Sequence, residues 1–478
     1  MDLFKYFFSD DSVSTICRNT NANAAKNQQS GKKYKWVDIT KEDLHHYLGL
    51  VIYMGLVKLD SISEYWARNT IFSVPFPATV MTRDRFRTIA WNLHMSDPEQ
   101  DQEMDRKRGT AEHDPLFRLK PLMEELQVAC SAAYQPTQTI AIDERMVATK
   151  AHTGMTQFQK MKPVKWGVKL FVMADSSNGY TSAFNIYCGK SRFHSGKGLG
   201  YDSVMALIDK AKLGTGYHLY VDNWYTSPQL FRDLLRKGIG ACGTYRDDRV
   251  GVPKSIVNTL RAKDPRGTIR WIRDGELVFV KWQDTKEVRL CSTVHSAHSG
   301  IKCTRNCRDE RGNWTRLTFQ CPTPVAEYNR WMGGVDLSDQ LIQYYSVSHK
   351  TMHWYRTLFF HFVDIATTNA YILHKELCGK TATPMTHRSF MQELCAQLCG
   401  VSVKMEPKPP TLTHIPVAIN PDADPSRKAT QGRKKCQHCK QARGDKSKST
   451  PFKCAACDVP LCVIVDRNCF NDWHKRFA

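Results

Sequence analysis

Three short acidic motifs hold the residues best suited to chemistry: Ile140-Ala141-Ile142-Asp143-Glu144, His218-Leu219-Tyr220-Val221-Asp222-Asn223 and Gly333-Gly334-Val335-Asp336-Leu337-Ser338-Asp339-Gln340. Each sets an aspartate where an apolar run ends or a helix begins. Carboxylates suit hard divalent cations such as Mg²⁺, and two such ions can hold the attacking and leaving oxygens of a phosphodiester. One aspartate in such a place is usually a strand-end or N-cap residue. Three in this order, with a long insertion between the second and third, read as a metal centre. Strand-borne Asp143 and Asp222 would share a cation, and a helix would bring Asp336 across the same edge. Asp339, one turn further along that helix face, would support the site. Strand alternation turns Glu144 to the opposite face, which excludes it.

A second set of ligands closes the chain: Cys436, Cys439, Cys454, Cys457, Cys462, Cys469 and His474. Each CxxC lets two thiolates occupy adjacent vertices of a tetrahedral Zn²⁺ site. Two such sites, cross-braced, need eight ligands, and these residues supply seven; the eighth is His438 or Asp466. Arg433, Lys434 and Lys435 precede the first CxxC and, with Arg427 and Lys428, also read as a nuclear import signal. His295, His298, Cys303, Cys307 and Cys321 lie closer to the middle, but their spacing fits no common zinc pattern.

The chain of 478 residues is long enough for about three domains at ~150 residues each. Its formal net charge of +21 favours a polyanionic partner, nucleic acid before an anionic membrane. The start, Met1-Asp2-Leu3-Phe4-Lys5, is no signal peptide, and no stretch is long and apolar enough to span a bilayer. A soluble, intracellular protein is expected, with no membrane partner. Its 17 cysteines are then reduced thiols or metal ligands rather than disulfides.

The elements that must position these groups follow from periodicity. Residues 1–135 read as helical, broken by a charged loop between Asp97 and Asp114. From Thr139 the period changes to two. Strands are expected at 139–143, 166–173, 180–187, 217–221 and 239–244, with helices at 201–212 and 227–237. That order describes a mixed sheet flanked by helices, an α/β core running over 136–245 and 326–400. Residues 246–325 read as a β-rich insertion containing a hairpin at 268–282 and a third strand at 288–294. Residues 401–430 have the composition of a linker, and 431–478 form the cysteine-rich domain.

At this point the acidic motifs become specific. Ile142-Asp143-Glu144, His218 to Ser227 and Met332 to Gln340 resemble signature motifs of the piggyBac transposase family, and Lys162-Pro163-Val164-Lys165-Trp166-Gly167-Val168-Lys169 is similar to its basic strand after the first aspartate. The resemblance covers nearly the whole chain. It implies a ribonuclease H-like core, an N-terminal helical dimerisation and DNA-binding domain, and a zinc-binding tail that grips the element's terminal DNA. It implies cut-and-paste transposition through a hairpin intermediate with joining at TTAA, by a nuclear homodimer acting on double-stranded DNA. Asp143, Asp222 and Asp336 would hold two Mg²⁺ ions, with Asp339 accessory, and the tail two Zn²⁺ ions. Lys162, Lys165, Trp354, Arg433, Lys434 and Lys435 would touch DNA. Two departures weigh on activity more than on ancestry. Lys150 to Met155 stands where many members have an Arg-rich segment, and the chain begins near the first helical domain without the acidic leader of many members. The alternative is a host-captured copy that binds DNA without strand transfer.

Overall fold

The computed structural model describes residues 1–478 apart from 69, 152, 161, 190–194, 262, 310–311, 350, 380–381, 404–413, 421–431, 444–447 and 476–478. Arg427 and Lys428 of the basic cluster lie outside the described residues. The chain forms two compact units, Met1–Ser402 and Val403–Ala478.

In the first unit the strands are β1 (Thr139–Ala148), β2 (Thr156–Phe158), β3 (Trp166–Asp175), β4 (Thr181–Ile186), β5 (His218–Val221), β6 (Gly240–Thr244), β7 (Ile269–Asp274), β8 (Leu277–Gln283), β9 (Glu287–Ser292), β10 (Lys302–Arg308) and β11 (Trp314–Gln320). The first nine form one sheet in the order β2-β3-β1-β5-β6-β9-β8-β7, with β4 also paired to β3. β1 runs antiparallel to β3 and parallel to β5, and β5 is parallel to β6. This is the ribonuclease H-like arrangement.

Alternation along β3 shows why the sheet is covered on both faces. Val168, Leu170, Val172 and Ala174 enter one core, while Phe171 and Met173 enter another with Ile140, Ile142, Leu219 and Val221. Helices Lys120–Ala133, Gly334–Tyr344 and Trp354–Cys378 pack on the first face, and Leu199–Ala211 and Pro228–Arg236 on the second. The 25-residue helix Trp354–Cys378 is buried from Tyr355 to Leu373. Among the described residues, no helix is long and apolar enough to cross a membrane. The amino-terminal helices dock onto the last ones of the unit, Lys41–Leu56 against His387–Leu398. There Gly49 lets the backbones approach, because a Cβ would collide with Cys399 Sγ.

Two expectations change. The charged stretch after Asp97 is a helix, Pro98–Arg106, rather than a loop. Asp97 caps it, Pro98 takes the first turn, and Glu99 and Asp101 face the positive helix end. The strands expected as a separate insertion extend the central sheet, because β9 pairs with β6 at Cys242↔Ser292 and Thr244↔Leu290. Only β10 and β11 stand apart, as a two-stranded ribbon.

Candidate active site

β5 ends at Val221, opposite Ile142 of β1, so β1 continues past its neighbour with one edge open. Asp143 and Glu144 sit on that overhang, and Asp222 follows the last residue of β5. Alternation alone does not keep Glu144 from the site. It pairs with Phe171 of β3 but has no β5 residue on its other side, and one carboxylate oxygen from each of Asp143, Glu144 and Asp222 lies within 4.8 Å of the others. The Glu144 amide donates to Asp143 Oδ1 at 2.7 Å, and the Trp224 amide to Asp222 Oδ1 at 2.8 Å, fixing both aspartates.

Two buried or half-buried ammonium groups balance part of this charge. Lys162 Nζ is 3.2 Å from Asp143 Oδ2. Lys169 Nζ is 3.0 Å from Glu144 Oε1 and lies over the rings of Phe171 and Trp224, at 4.9 and 4.6 Å. Burial, with hydrogen bonding to Glu144, pushes the Asp143 carboxyl up to about 8 against the pull of Lys162. Burial also raises Asp222. Burial pushes Glu144 up too, but its hydrogen bond with Asp143 and the two ammonium groups hold it below its ordinary value. Crowded carboxylates that resist ionising together form a hard oxygen donor set that a divalent cation would stabilise.

Helix Gly334–Tyr344 supplies the remaining acids. Gly334 lies against Ser176 and Ala141, where a Cβ would come within 3.0 Å of the Ser176 Cα, so the glycine permits close approach to the sheet. Asp336, in the first turn, lines a cleft of about 200 Å³ with Glu144, Lys162 and Asp339. It borders the Asp143–Glu144–Asp222 set without belonging to it. Asp339 is turned back to the sheet, where its carboxylate accepts a hydrogen bond from Arg145 Nε of β1. Of the sequence-selected DNA contacts, Lys165 is exposed and Lys162 faces the acidic centre. Trp354 is half-buried against the core and edge-on to Tyr355.

In the second unit, strands Pro416–Ala418 and Phe452–Cys454 pair, as do Lys434–Lys435 and Ser449–Thr450. Arg433, Lys434 and Lys435 are exposed. The ligands fall into two groups of four, Cys436, Cys439, Cys462 and Cys469, and His414, Cys454, Cys457 and His474. They alternate along the chain, which is a cross-brace. The residue that completes the second group is His414, and neither group contains His438 or Asp466. The strand Pro416–Ala418 delivers it, placing His414 Nδ1 3.3 Å from Cys454 Sγ and 3.2 Å from Cys457 Sγ. His474 Nδ1 is 2.7 Å from the Phe470 carbonyl, so it donates there and leaves Nε2, 3.5 Å from Cys457 Sγ, free to bind metal. Although burial opposes it, the backbone amides of Cys439 and Cys462 hold the Cys436 thiol below its ordinary value, favouring thiolate. Both sets fit zinc by donor type and number. Among the described residues, His295, His298, Cys303, Cys307 and Cys321 form no such group.

Residues 1–371 match the family profile described as Transposase IS4, and residues 423–475 match that described as DDE_Tnp_1-like zinc finger. Among human proteins, PiggyBac transposable element-derived protein 3 is 26% identical over 485 residues, covering 99% of this chain and 76% of that one. PiggyBac transposable element-derived protein 2 is 26% identical over 79% of this chain and 61% of its own length. A cryo-EM structure of the piggyBac transposase synaptic complex with hairpin DNA superposes with a TM-score of 0.73 at 24% identity, over 96% of this chain and 94% of that one. The profile match spans most of the sequence, and the piggyBac-derived relatives and the shared fold agree with it: the chain belongs to the piggyBac transposase family.

Proposed function

We propose that this chain is a cut-and-paste DNA transposase that cleaves element ends by metal-dependent hydrolysis and transesterification through a hairpin, and joins them at TTAA. The observation that carries the reading is the convergence of Asp143 and Asp222 on one sheet edge, with Asp336 on the wall of the adjoining cleft. Asp143, Asp222 and Asp336 would hold two Mg²⁺ ions, and Glu144 is placed to join them. Bound there, the ions would offset charge on the phosphate and activate the attacking oxygen. The chain's own residues prepare that event. The amides of Glu144 and Trp224 fix two carboxylates, and Lys162, 3.2 Å from Asp143 Oδ2, opposes the burial that raises that carboxyl. The zinc-braced tail, with exposed Arg433, Lys434 and Lys435, would bind terminal DNA. A homodimer would hold two ends, in the nucleus.

A second reading, a captured protein that binds DNA without strand transfer, is favoured by the names of its human relatives, which describe them as derived from transposable elements. A plasmid excision assay with matching element ends separates the two. Excision that depends on Mg²⁺ and on Asp143 supports the transposase. Tight binding of the ends without excision supports the captured protein.

A further inference from the structure

The β10–β11 ribbon has two unlike faces. On the inner face, Arg305 donates to Asp284 Oδ2 at 3.1 Å and covers Trp282 at 5.4 Å, while Arg266 covers Phe319 at 5.1 Å. At the base, the Cys321 amide donates to the Ile301 carbonyl at 2.9 Å. These contacts hold the ribbon on the end of the central sheet. The outer face is fully exposed and polar. Its cross-strand pairs include Lys302↔Gln320, Asn306↔Arg316 and Arg308↔Trp314, with a threonine pair between the first two. No carboxylate stands on that face, and the Arg308 guanidinium lies 5.1 Å from the centroid of Trp314, which is 67% exposed.

We infer that this outer face enters the major groove of duplex DNA, as a second DNA-contacting surface separate from the zinc-braced tail. A solvated ribbon needs no such bias, since an ordinary exposed strand mixes charges of both signs. Three cations without an anion suit a polyanion, and Lys, Arg, Asn and Gln are the side chains that pair with base edges. Dimensions agree. Two strands about 4.8 Å apart, with their side chains, fit a groove about 12 Å wide, and seven residues extend over ~20 Å, roughly six base pairs. The inference rests on the proposed action on DNA and deepens it.

The test uses the full chain and a 40-base-pair duplex of mixed sequence, either unmodified or partly methylated at guanine N7. Wild type should bind the unmodified duplex more tightly, because N7 methylation blocks the major-groove edge. The triple variant Lys302→Ala/Arg308→Ala/Arg316→Ala should bind about tenfold or more weakly and lose most of that discrimination. Its log K against log salt slope should flatten by roughly 0.9 for each phosphate contact removed. Thr304→Glu, which keeps every cation, should also weaken binding by repulsion and guards against misfolding of the triple variant. Wild-type binding with both variants unchanged overturns the ribbon inference alone. A wild type that binds no duplex overturns the reading beneath it.

Discussion

The Arg145–Asp339 pair offers a test of what the fourth aspartate does. Arg145 is only 3% exposed, and it reaches Asp339 through Nε and Ser338 Oγ through a terminal nitrogen at 2.8 Å. Ser338 Oγ in turn lies 3.0 Å from Thr181 Oγ1. This network ties helix Gly334–Tyr344 to β1 and β4, one turn beyond Asp336. Asp339→Ala would leave a guanidinium buried without its carboxylate, which costs about 3–5 kcal/mol. Asp339→Asn keeps an acceptor and should cost less. Opening of the helix by 3 kcal/mol corresponds to about 100-fold faster amide exchange along its protected residues.

Removing both charges separates a clamp from a metal ligand. In Arg145→Met/Asp339→Leu no buried charge is stranded, so protection of Gly334–Tyr344 should recover to within about 1–2 kcal/mol of wild type. If Asp339 acts by holding the helix, metal-dependent nicking should recover with it to within about tenfold. A double variant with restored protection but no nicking would show that the carboxylate itself serves the metal. Asp339→Ala with unchanged exchange would refute the clamp.

Asp143→Asn, Asp222→Asn and Asp336→Asn should each abolish nicking while leaving duplex affinity within about threefold, since phosphate affinity comes from basic residues elsewhere; nicking and gel-shift assays on the same preparations check this. His414→Ala should lower the zinc content of the full chain from two ions to one, whereas His438→Ala and Asp466→Ala should leave two, as measured by elemental analysis. Burial pushes the Asp364 carboxyl up to about 7 from an ordinary value of 3.8, against hydrogen bonds from the Val347 amide and Ser346. The folded state therefore binds the proton more tightly, so this group's contribution is full below about pH 4 and is lost as pH rises through about 7. Asp364→Asn should flatten that fall, seen as a smaller difference in urea midpoint between pH 5 and pH 8.

Asp143 and Asp222 were readable because strand ends announce themselves: an apolar alternating run stops, and the next polar residue emerges at the sheet edge. The helical N-terminus of the Asp336 segment was readable for a similar reason, from Gly333 and Gly334 before a 3.6-residue period. Glu144 was not, because alternation gives the face a side chain leaves from and not how far it reaches past an open edge, and β5 ends two residues short of Glu144. His414 escaped because it lies far from Cys436 in a proline-bearing stretch. Only the non-local pairing of Pro416–Ala418 with Phe452–Cys454 brings it to the thiolates. The joining of β9 to β6 has the same character. Strand propensity is local, but which strands pair depends on which edges the fold leaves open.

One strand carries most of the site's geometry. β1 presents Asp143 and Glu144 on its overhang and, one residue later, sends Arg145 beneath the helix that bears Asp336. Thr181 and Gly179 approach the same helix from the β3–β4 side, at Ser338 and Leu337. The helix that bears Asp336 is thus held to β1 and β4 by the Arg145–Asp339 pair, the Ser338 hydrogen bonds, and close approaches at Gly179 and Gly334. Residues 246–325 also reach the centre, because Arg249 donates to the Asn223 and Trp224 carbonyls just after Asp222. The β10–β11 ribbon, outside the central sheet, makes none of these contacts, so it lies between the second and third aspartates in sequence without entering the centre they form.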